Sequence, residues 1–447
     1  MHRTTTFFAL CMLGTALAFF ACGDDAGSPA SPGVDAGSAS ADSGRLGDGS
    51  SSDAPSGGRV TGVVETIYGA PIAGALVRVP GGPEVTTGTD GKFSFDAGPS
   101  YDLVVVYPSS DGKKAVAAFE GLSRRDPTVA VSGGLKRNPA DAVTVSVSGD
   151  AGAFPLPTPE RIIAVVAPSS HSGPASGILV SGSSNSRGGL DFGWQGEAPL
   201  VGTLVALRDS VVTGAMPTAF KAYGEAPITL APVTPASFDV PMAAITEGRV
   251  QGRVDTPWPT ATLTYTLRKG AYALTYHASG VAPSFELPIP IVSGMTGTVG
   301  STITSDTGES TGAWKTGIVA GAPPFVLQHP AEIHALAPDV SATNVDAAVA
   351  FRWTPPASSL GVTHLSVVCG ASVTVYQLDL YTSKASAHLP DVSSTGVTWP
   401  TATECNWRVT ASSGTPDSAA APGSRSPLTA TSDGQQSTTP YRKLQTR

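Results

Sequence analysis

The sequence predicts an all-β protein: antiparallel β-sandwich domains in series behind a disordered stalk. Three observations lead there. Charged residues make up only 14% of the 447-residue chain, against roughly 25% in ordinary globular proteins. Ser, Thr, Ala, Val, Gly and Pro stand in their place, which favours strands and turns over helices. Short runs alternate apolar and polar residues with period two, and Gly, Pro and Asp turns interrupt them every 8–12 residues or so, the rhythm of a sandwich. The formal net charge of −8 is spread along the chain. It leaves no basic stripe, so no nucleic-acid partner is expected.

The N-terminus is a different kind of segment. Met1-His2-Arg3 opens with positive charge, and Phe7 to Ala21 is an uncharged, mostly apolar run. A basic start, an apolar stretch of about 15 residues and a small residue before the cut describe a secretory signal peptide, residues 1–21, too short to span a bilayer stably. Nothing after residue 22 is apolar for long enough to do so either. With Cys22 directly after Ala21, the segment resembles a bacterial lipobox, with Phe19 where that family carries Leu. The resemblance implies that Cys22 is lipidated and becomes the mature N-terminus, a membrane anchor. Gly23 carries no acidic retention signal, which favours the outer membrane, with the body periplasmic or surface-exposed. An ordinary cleavage nearby, which removes Cys22 or leaves it a free thiol, is the alternative. Residues 22–58 then read as the lipidated Cys and a disordered linker of Gly, Ser, Ala, Asp and Pro, unable to bury enough surface to offset the entropy of ordering it. About 36 residues of such coil reach roughly 30–35 Å. Its six Asp lack the ligand rhythm of a calcium loop and read as solubilising charges.

From Arg59 strands begin. Val60-Thr61-Gly62-Val63-Val64, Ala75-Leu76-Val77-Arg78-Val79, Lys92-Phe93-Ser94-Phe95 and Tyr101-Asp102-Leu103-Val104-Val105-Val106 are separated by turns at Tyr68-Gly69-Ala70-Pro71 and Thr89-Asp90-Gly91. The order Gly62-x-Val64, Gly69-x-Pro71-Ile72-x-Gly74-Ala75-x-Val77, Asp90-Gly91-Lys92-Phe93-Ser94-Phe95 and Tyr101-x-Leu103 resembles the carboxypeptidase regulatory-like domain, over about residues 59–108. That family is a transthyretin-like sandwich, usually non-catalytic, in secreted and surface proteins. Its acidic residue two positions before Asp90 is Gly88 here, so no metal is assigned to that turn. The resemblance implies a first domain at residues 59–130.

Residues 131–247 and 248–325 read as two further sandwiches without a family resemblance. Ala142 to Val147 alternates, Arg161-Ile162-Ile163-Ala164-Val165-Val166 is a fully buried type of run, and Thr262 to Tyr276 reads as a hairpin around Arg268-Lys269-Gly270. Gly58-Arg59-Val60-Thr61-Gly62 is echoed by Gly248-Arg249-Val250-Gln251-Gly252, which marks the start of the third domain. In the last third, Ala348 to Pro356 carries Trp353 on a strand stopped by Pro-Pro, and Trp407-Arg408-Val409-Thr410-Ala411 alternates again. Together these resemble the early Trp strand and the late aromatic-x-Val-x-Ala strand of a fibronectin type III-like domain, at residues 326–412, with Trp407 in place of the usual Tyr. The domains join at Pro-rich boundaries such as Ala322-Pro323-Pro324 and are expected to fold independently. Residues 413–447 return to Ser, Thr, Gly and Pro and read as a disordered tail.

Of four Cys, Cys11 and Cys22 belong to the leader, which leaves Cys369 and Cys405 as the only pair in the exported body. A disulfide is expected there; the fibronectin-like resemblance implies that they lie on neighbouring antiparallel strands. No catalytic or metal residues are assigned. Gly308-Glu309-Ser310-Thr311-Gly312 fits the G-x-S-x-G pattern, but that chemistry needs a strand–turn–helix elbow and no helix follows. His329, Glu332 and His334 sit beside Pro330 with no helical i, i+4 spacing; on a strand Glu332 and His334 share a face and His329 does not, so they read as polar groups of a linker. Phe192 and Trp194, among Gly and polar residues, form a candidate carbohydrate-stacking pair. No phosphate loop or dinucleotide fingerprint occurs, and no cofactor is expected. The function expected is non-catalytic, a surface-anchored lipoprotein with a structural or binding role, its partners the membrane and envelope polysaccharide or protein. A carbohydrate-binding protein and a hydrolase with its site in residues 131–325 are the alternatives.

Overall fold

The computed structural model describes residues 57–109, 113–131, 137–139, 143–169, 175–181, 187–190, 193–195, 198–212, 214–256, 261–370, 374–421 and 432–447. The fold is all-β, as the composition and turn spacing predict. Among the described residues no helix is long and apolar enough to cross a membrane.

The first sandwich contains β1 (Gly58–Thr66), β2 (Leu76–Arg78), β3 (Glu84–Thr86), β4 (Lys92–Ala97), β5 (Tyr101–Pro108), β6 (Lys114–Leu122) and β7 (Thr128–Val131). One sheet has the order β4-β1-β7, with β1 antiparallel to β4 and parallel to β7. The other runs β3-β2-β5-β6, antiparallel throughout. A short strand β8 (Arg137–Pro139) follows. The second sandwich contains β9 (Val143–Gly149), β10 (Glu160–Pro168), β11 (Ala175–Ser181), β12 (Arg187–Leu190), β13 (Gly193–Gln195), β14 (Leu200–Ser210), β15 (Ala219–Leu230) and β16 (Ala236–Ala244), with β13 paired to β8. The third contains β17 (Glu247–Asp255), β18 (Ala261–Lys269), β19 (Tyr272–Val281), β20 (Ser284–Pro290), β21 (Thr296–Thr304), β22 (Ser310–Ile318) and β23 (Phe325–Gln328).

These three sandwiches repeat one topology. In the third, β20-β17-β23 pairs antiparallel then parallel, and β19-β18-β21-β22 is antiparallel, strand for strand the pattern of the first. In the second, β9 is antiparallel to β12 and parallel to β16, while β11-β10-β14-β15 is the antiparallel set; an added β15–β16 pairing closes both into one seven-stranded sheet. The short sequence echo thus falls on equivalent central strands, β1 and β17. Its last glycine has the same task in both. Gly62 lies opposite Phe93 and Gly252 opposite Phe285, and a Cβ at either position would stand 2.4 Å from the ring Cζ of that Phe.

The fourth sandwich contains β24 (Ala335–Ala337), β25 (Ala342–Val345), β26 (Ala350–Trp353), β27 (Val362–Cys369), β28 (Tyr376–Thr382), β29 (Ser386–His388), β30 (Glu404–Ser412), β31 (Gly434–Thr438) and β32 (Arg442–Thr446), with a one-turn helix α1 (Pro416–Ala419) after β30. One sheet is β24-β26-β29; in the other, β28-β27-β30 is completed by β31 and β32, which pair with successive halves of β30. The expected disordered tail is therefore corrected: residues 434–446 are the last strand of this sandwich, broken at Pro440. The physical reason is that β30 would otherwise present an unpaired edge. Leu444 fills the core from β32, and Thr439 Oγ1 accepts the Val409 N–H at 3.1 Å.

The expectation of independent folding is corrected too. Strand β6 of the first sandwich pairs in parallel with β28 of the fourth, and β22 of the third with β31, so a single sheet of 14 strands runs through three sandwiches. Alternate residues of β5 and β6 feed two cores. Leu103, Val105, Tyr107, Ala117 and Phe119 fill the first, while Val104, Val106, Val116 and Ala118 join Phe351, Trp353 and Trp407 of the fourth. In the same way Ile162 and Ala164 of β10 fill the second core, while Ile163 with Val205 and Leu207 of β14 joins the third. Each Val, Leu, Ile or Phe among them taken out of water contributes roughly 1.5–3 kcal/mol, so the junctions are held by apolar burial as the sandwich cores are. Polar locks accompany them. Asp209, fully buried, accepts from Arg161 at 3.0 Å and from the Tyr276 hydroxyl at 2.7 Å across the second junction. Asp417 on α1 accepts the backbone N–H groups of Ser123 and Arg124 of the first sandwich at 2.8 and 2.9 Å.

Deleting residues 432–447 should therefore unfold more than a tail. It strips β31 and β32 from one edge of β30, leaving β27 on the other, and takes β31 from β22; circular dichroism melting of the truncated chain should show a lower, broader transition. An unchanged melting curve would contradict this role for the last strand.

Candidate functional site

Two of the residues singled out in the sequence, Cys22 and Phe192, lie outside the described residues. Trp194 is described on β13, and its side chain is 1% exposed, packed in the core of the second sandwich. The carbohydrate-stacking assignment is corrected for this residue: an indole seated among Val, Ile and Leu presents no face to a sugar. The large apolar ring stabilises the core by its burial, which outweighs any signal from its polar sequence neighbours.

Cys369 and Cys405 are joined in a disulfide. They lie directly opposite each other in the antiparallel register of β27 and β30, both fully buried. Their separation of 36 residues corresponds to a stabilisation of roughly 3–4 kcal/mol in the chain-entropy account.

Among the described residues, the boundary between the third and fourth sandwiches gathers three ligating side chains around one point. The turn from β21 to β22 is closed by Ser305 N–H to the Glu309 carbonyl at 2.8 Å and Gly308 N–H to the Ser305 carbonyl at 3.0 Å, with Gly308 at φ +90°, a conformation that glycine adopts without strain. Ser310 opens strand β22 in register with Thr438 of β31. It is part of a ladder, not of a strand–turn–helix elbow, and the G-x-S-x-G pattern carries no nucleophile geometry. Its neighbours matter more. Thr311 meets His329, and Glu309 meets His334.

His329 is half-buried between two hydroxyls, its Nε2 2.6 Å from Ser301 Oγ and its Nδ1 3.0 Å from Thr311 Oγ1. Burial pushes its pKa down to about 4, with the contact to Thr311 and the charge of Asp255 opposing in part. The ring is neutral at pH 7 and serves as a bridge between β21, β22 and the end of β23. Ser301 and Thr311 are themselves buried, so the ring is held from its inner side and is only partly exposed.

Glu332 and His334 project from the other side of the chain, as expected for i, i+2 neighbours on extended backbone. What the sequence reading missed is their third partner. His334 Nδ1 lies 3.2 Å from Glu309 Oε1, and ligand atoms of Glu309, Glu332 and His334 all lie within 4.8 Å of one another. Glu309 is 5% exposed. Burial opposes its ionisation, but hydrogen bonds from Thr307 and His334 outweigh it and hold the carboxyl below its usual range. The signal was present in Gly308–Gly312, where attention to Ser310 concealed the acid beside it.

A second surface feature lies on the third sandwich. Gln251, Arg253, Ser284, Glu286, Phe285 and Phe325 line an open groove. The two half-buried Phe rings meet edge to face with centroids 5.9 Å apart, over the space left by Gly252.

The neutral bridge has a measurable consequence. The folded pKa of His329 lies below the ordinary 6.5, so the unfolded chain takes up the proton first. Its contribution is intact above about pH 6.5 and is lost as pH falls toward about 4. Thermal midpoints of the wild type should drop over that interval by more than those of His329→Gln, which cannot titrate there. Parallel profiles for the two proteins would show that the ring does not titrate as the geometry implies.

No protein-family model and no curated protein matches the chain. Among solved structures it is similar to the Bacillus anthracis TIE protein, at 10% identity, over 61% of this chain and 50% of that one, with a TM-score of 0.16; it thus spans half the length of that chain. It is similar as well to a streptococcal ancillary pilin (10% identity, 61% of this chain and 98% of that one, TM-score 0.15). A third is the tetra-tandem repeat from the extending region of a large adhesion protein (11% identity, 87% and 98%, TM-score 0.13). Likeness at this level says nothing of activity.

Proposed function

We propose that this chain is a non-catalytic, envelope-anchored surface protein whose role is structural or adhesive, tethered to the outer membrane by lipid at Cys22. The observation that carries the reading is the repetition itself. One sandwich topology occurs three times in succession and a disulfide-latched fourth closes the set. What the copies share is the order and pairing of their strands, and the first and third also share the glycine–phenylalanine contact on their central strand. Sandwiches that share sheets and cores in this way supply rigidity. On the sequence resemblances alone, the first sandwich is read as carboxypeptidase regulatory-like and the fourth as fibronectin type III-like. The anchor is testable by metabolic labelling with a fatty-acid probe. The wild type should be labelled and recovered with membranes, and Cys22→Ala should be neither; equal labelling of the variant would remove the anchor from the proposal.

A carbohydrate-binding role is the second reading, and the groove at Phe285 and Phe325 favours it. Apolar ring faces flanked by a guanidinium, an amide and a carboxylate supply both the stacking surface and the hydrogen bonds that a sugar needs. On a glycan array this reading expects selective binding that Phe285→Ala and Phe325→Ala abolish. Absence of selective binding by the wild type leaves the structural role alone.

A further inference from the structure

The boundary between the third and fourth sandwiches places Glu309, Glu332 and His334 around one point, and we propose that these three side chains bind a divalent transition-metal ion, Zn2+ by their chemistry, that clips the two sandwiches together. The inference does not depend on the anchored-surface reading above.

The backbone that carries each ligand is held by the fold before any metal arrives. Ile333 is 1% exposed, seated in the core of the fourth sandwich, and its N–H donates to Ser437 Oγ at 2.8 Å. With Ile333 pointing inward, extended backbone turns its two neighbours, Glu332 and His334, to the opposite side. The His334 backbone is pinned twice to Thr354, donating to its Oγ1 at 2.9 Å and accepting from its N–H at 2.9 Å. Glu309 comes from the other sandwich, on the closed β21–β22 turn. The ligands thus belong to two bodies, and an ion held by all three fixes one against the other.

Distances allow coordination with small movements. A tetrahedral site with bonds of about 2.0–2.1 Å places its ligand atoms roughly 3.3–3.4 Å apart. Glu309 Oε1 and His334 Nδ1 are already 3.2 Å apart, so both can turn toward one ion in place of each other. Ligand atoms of the three residues lie within 4.8 Å of one another. Glu332 therefore has to close about 1.5 Å at most to reach the same spacing, and as an exposed side chain it is free to rotate.

Charge points the same way. Two carboxylates meet here, and among the described residues neither forms an ion pair with a Lys or Arg; the one basic neighbour is His334 itself. Removing the larger part of the Glu309 carboxylate from water costs free energy that a cation offsets. The ligand set decides which cation. One imidazole nitrogen with two carboxylate oxygens suits Zn2+ and its transition-metal neighbours, whereas Ca2+ and Mg2+ take sets of oxygens. Three protein ligands leave the fourth tetrahedral position to water.

The test is calorimetric titration of the full chain, stripped of metal with a chelator, with Zn2+ and with Ca2+. Wild type, Glu332→Gln and His334→Ala are compared. Both substituted side chains are exposed, so the variants should fold, and circular dichroism confirms it. The proposal expects one Zn2+ per chain, binding at least about tenfold weaker in each variant, no competition from Ca2+, and a Zn2+-dependent rise in the wild-type melting temperature that the variants lack. Equal Zn2+ affinity in all three proteins would place the ion elsewhere, on leader cysteines for example, and would overturn it. Absence of saturable binding, or Ca2+ competing on equal terms, would overturn it as well.

Discussion

Strands that are buried on both faces hold this molecule together. A strand in a simple sandwich gives alternate residues to the core and to water, but β5, β6, β10 and β14 give theirs to two cores. Leu103 and Val105 point into the first sandwich while Val104 and Val106 point into the fourth, and Ile162 and Ile163 divide between the second and the third. Since the two sets of side chains share one backbone, neither core can open without disturbing the other. Four sandwiches of modest size thereby acquire the burial of a much larger body, which small domains lack by themselves.

Edge pairing completes what two-faced burial begins. Strand β31 hydrogen-bonds to β22 on one side and β30 on the other, and β28 takes β6 as its parallel neighbour. Sheet edges are sites of unwanted association when left open, and here the sandwiches satisfy one another's edges. The disulfide sits at the far end of β27 from Val362, inside the core that the first and fourth sandwiches share, and fixes β27 against β30. The three repeated sandwiches also show how one topology accommodates different settings. The first and third keep their two sheets separate and use the free edges for neighbours, whereas the second closes its own edge through β15 and β16.

The boundary cluster follows from the same geometry. Where β22 meets the last strand, the turn before β22 is brought against the linker that enters β24, and polar side chains of both are left facing each other. His329 is satisfied by two hydroxyls and is locked as a neutral bridge. Glu309, Glu332 and His334 are only partly satisfied among themselves. Among the described residues, ligating side chains gather at this junction, and the cores on either side are filled mainly with apolar side chains.

Local pattern was enough for the all-β class, for most strands of the first sandwich and for the disulfide, because period two, turn residues and compartment act over short stretches or by simple count. The run Leu103-Val104-Val105-Val106-Tyr107 even carried the mark of two-faced burial, a strand without polar alternation. What it packed against was not legible, since the partners near Trp353 and Trp407 lie about 250 and 300 residues further on. The Ser, Thr and Pro of residues 434–446 look like linker, yet they form a strand, because an edge needs backbone donors and acceptors whatever the side chains are. Trp194 reads as a surface ring among glycines and is buried, and Glu309 reads as filler beside a serine and is the third member of the cluster. Sequence specified which segments extend and which cysteines can meet. Tertiary structure alone decided which faces are covered and which distant side chains share a point, because those depend on contacts between segments that no local periodicity records.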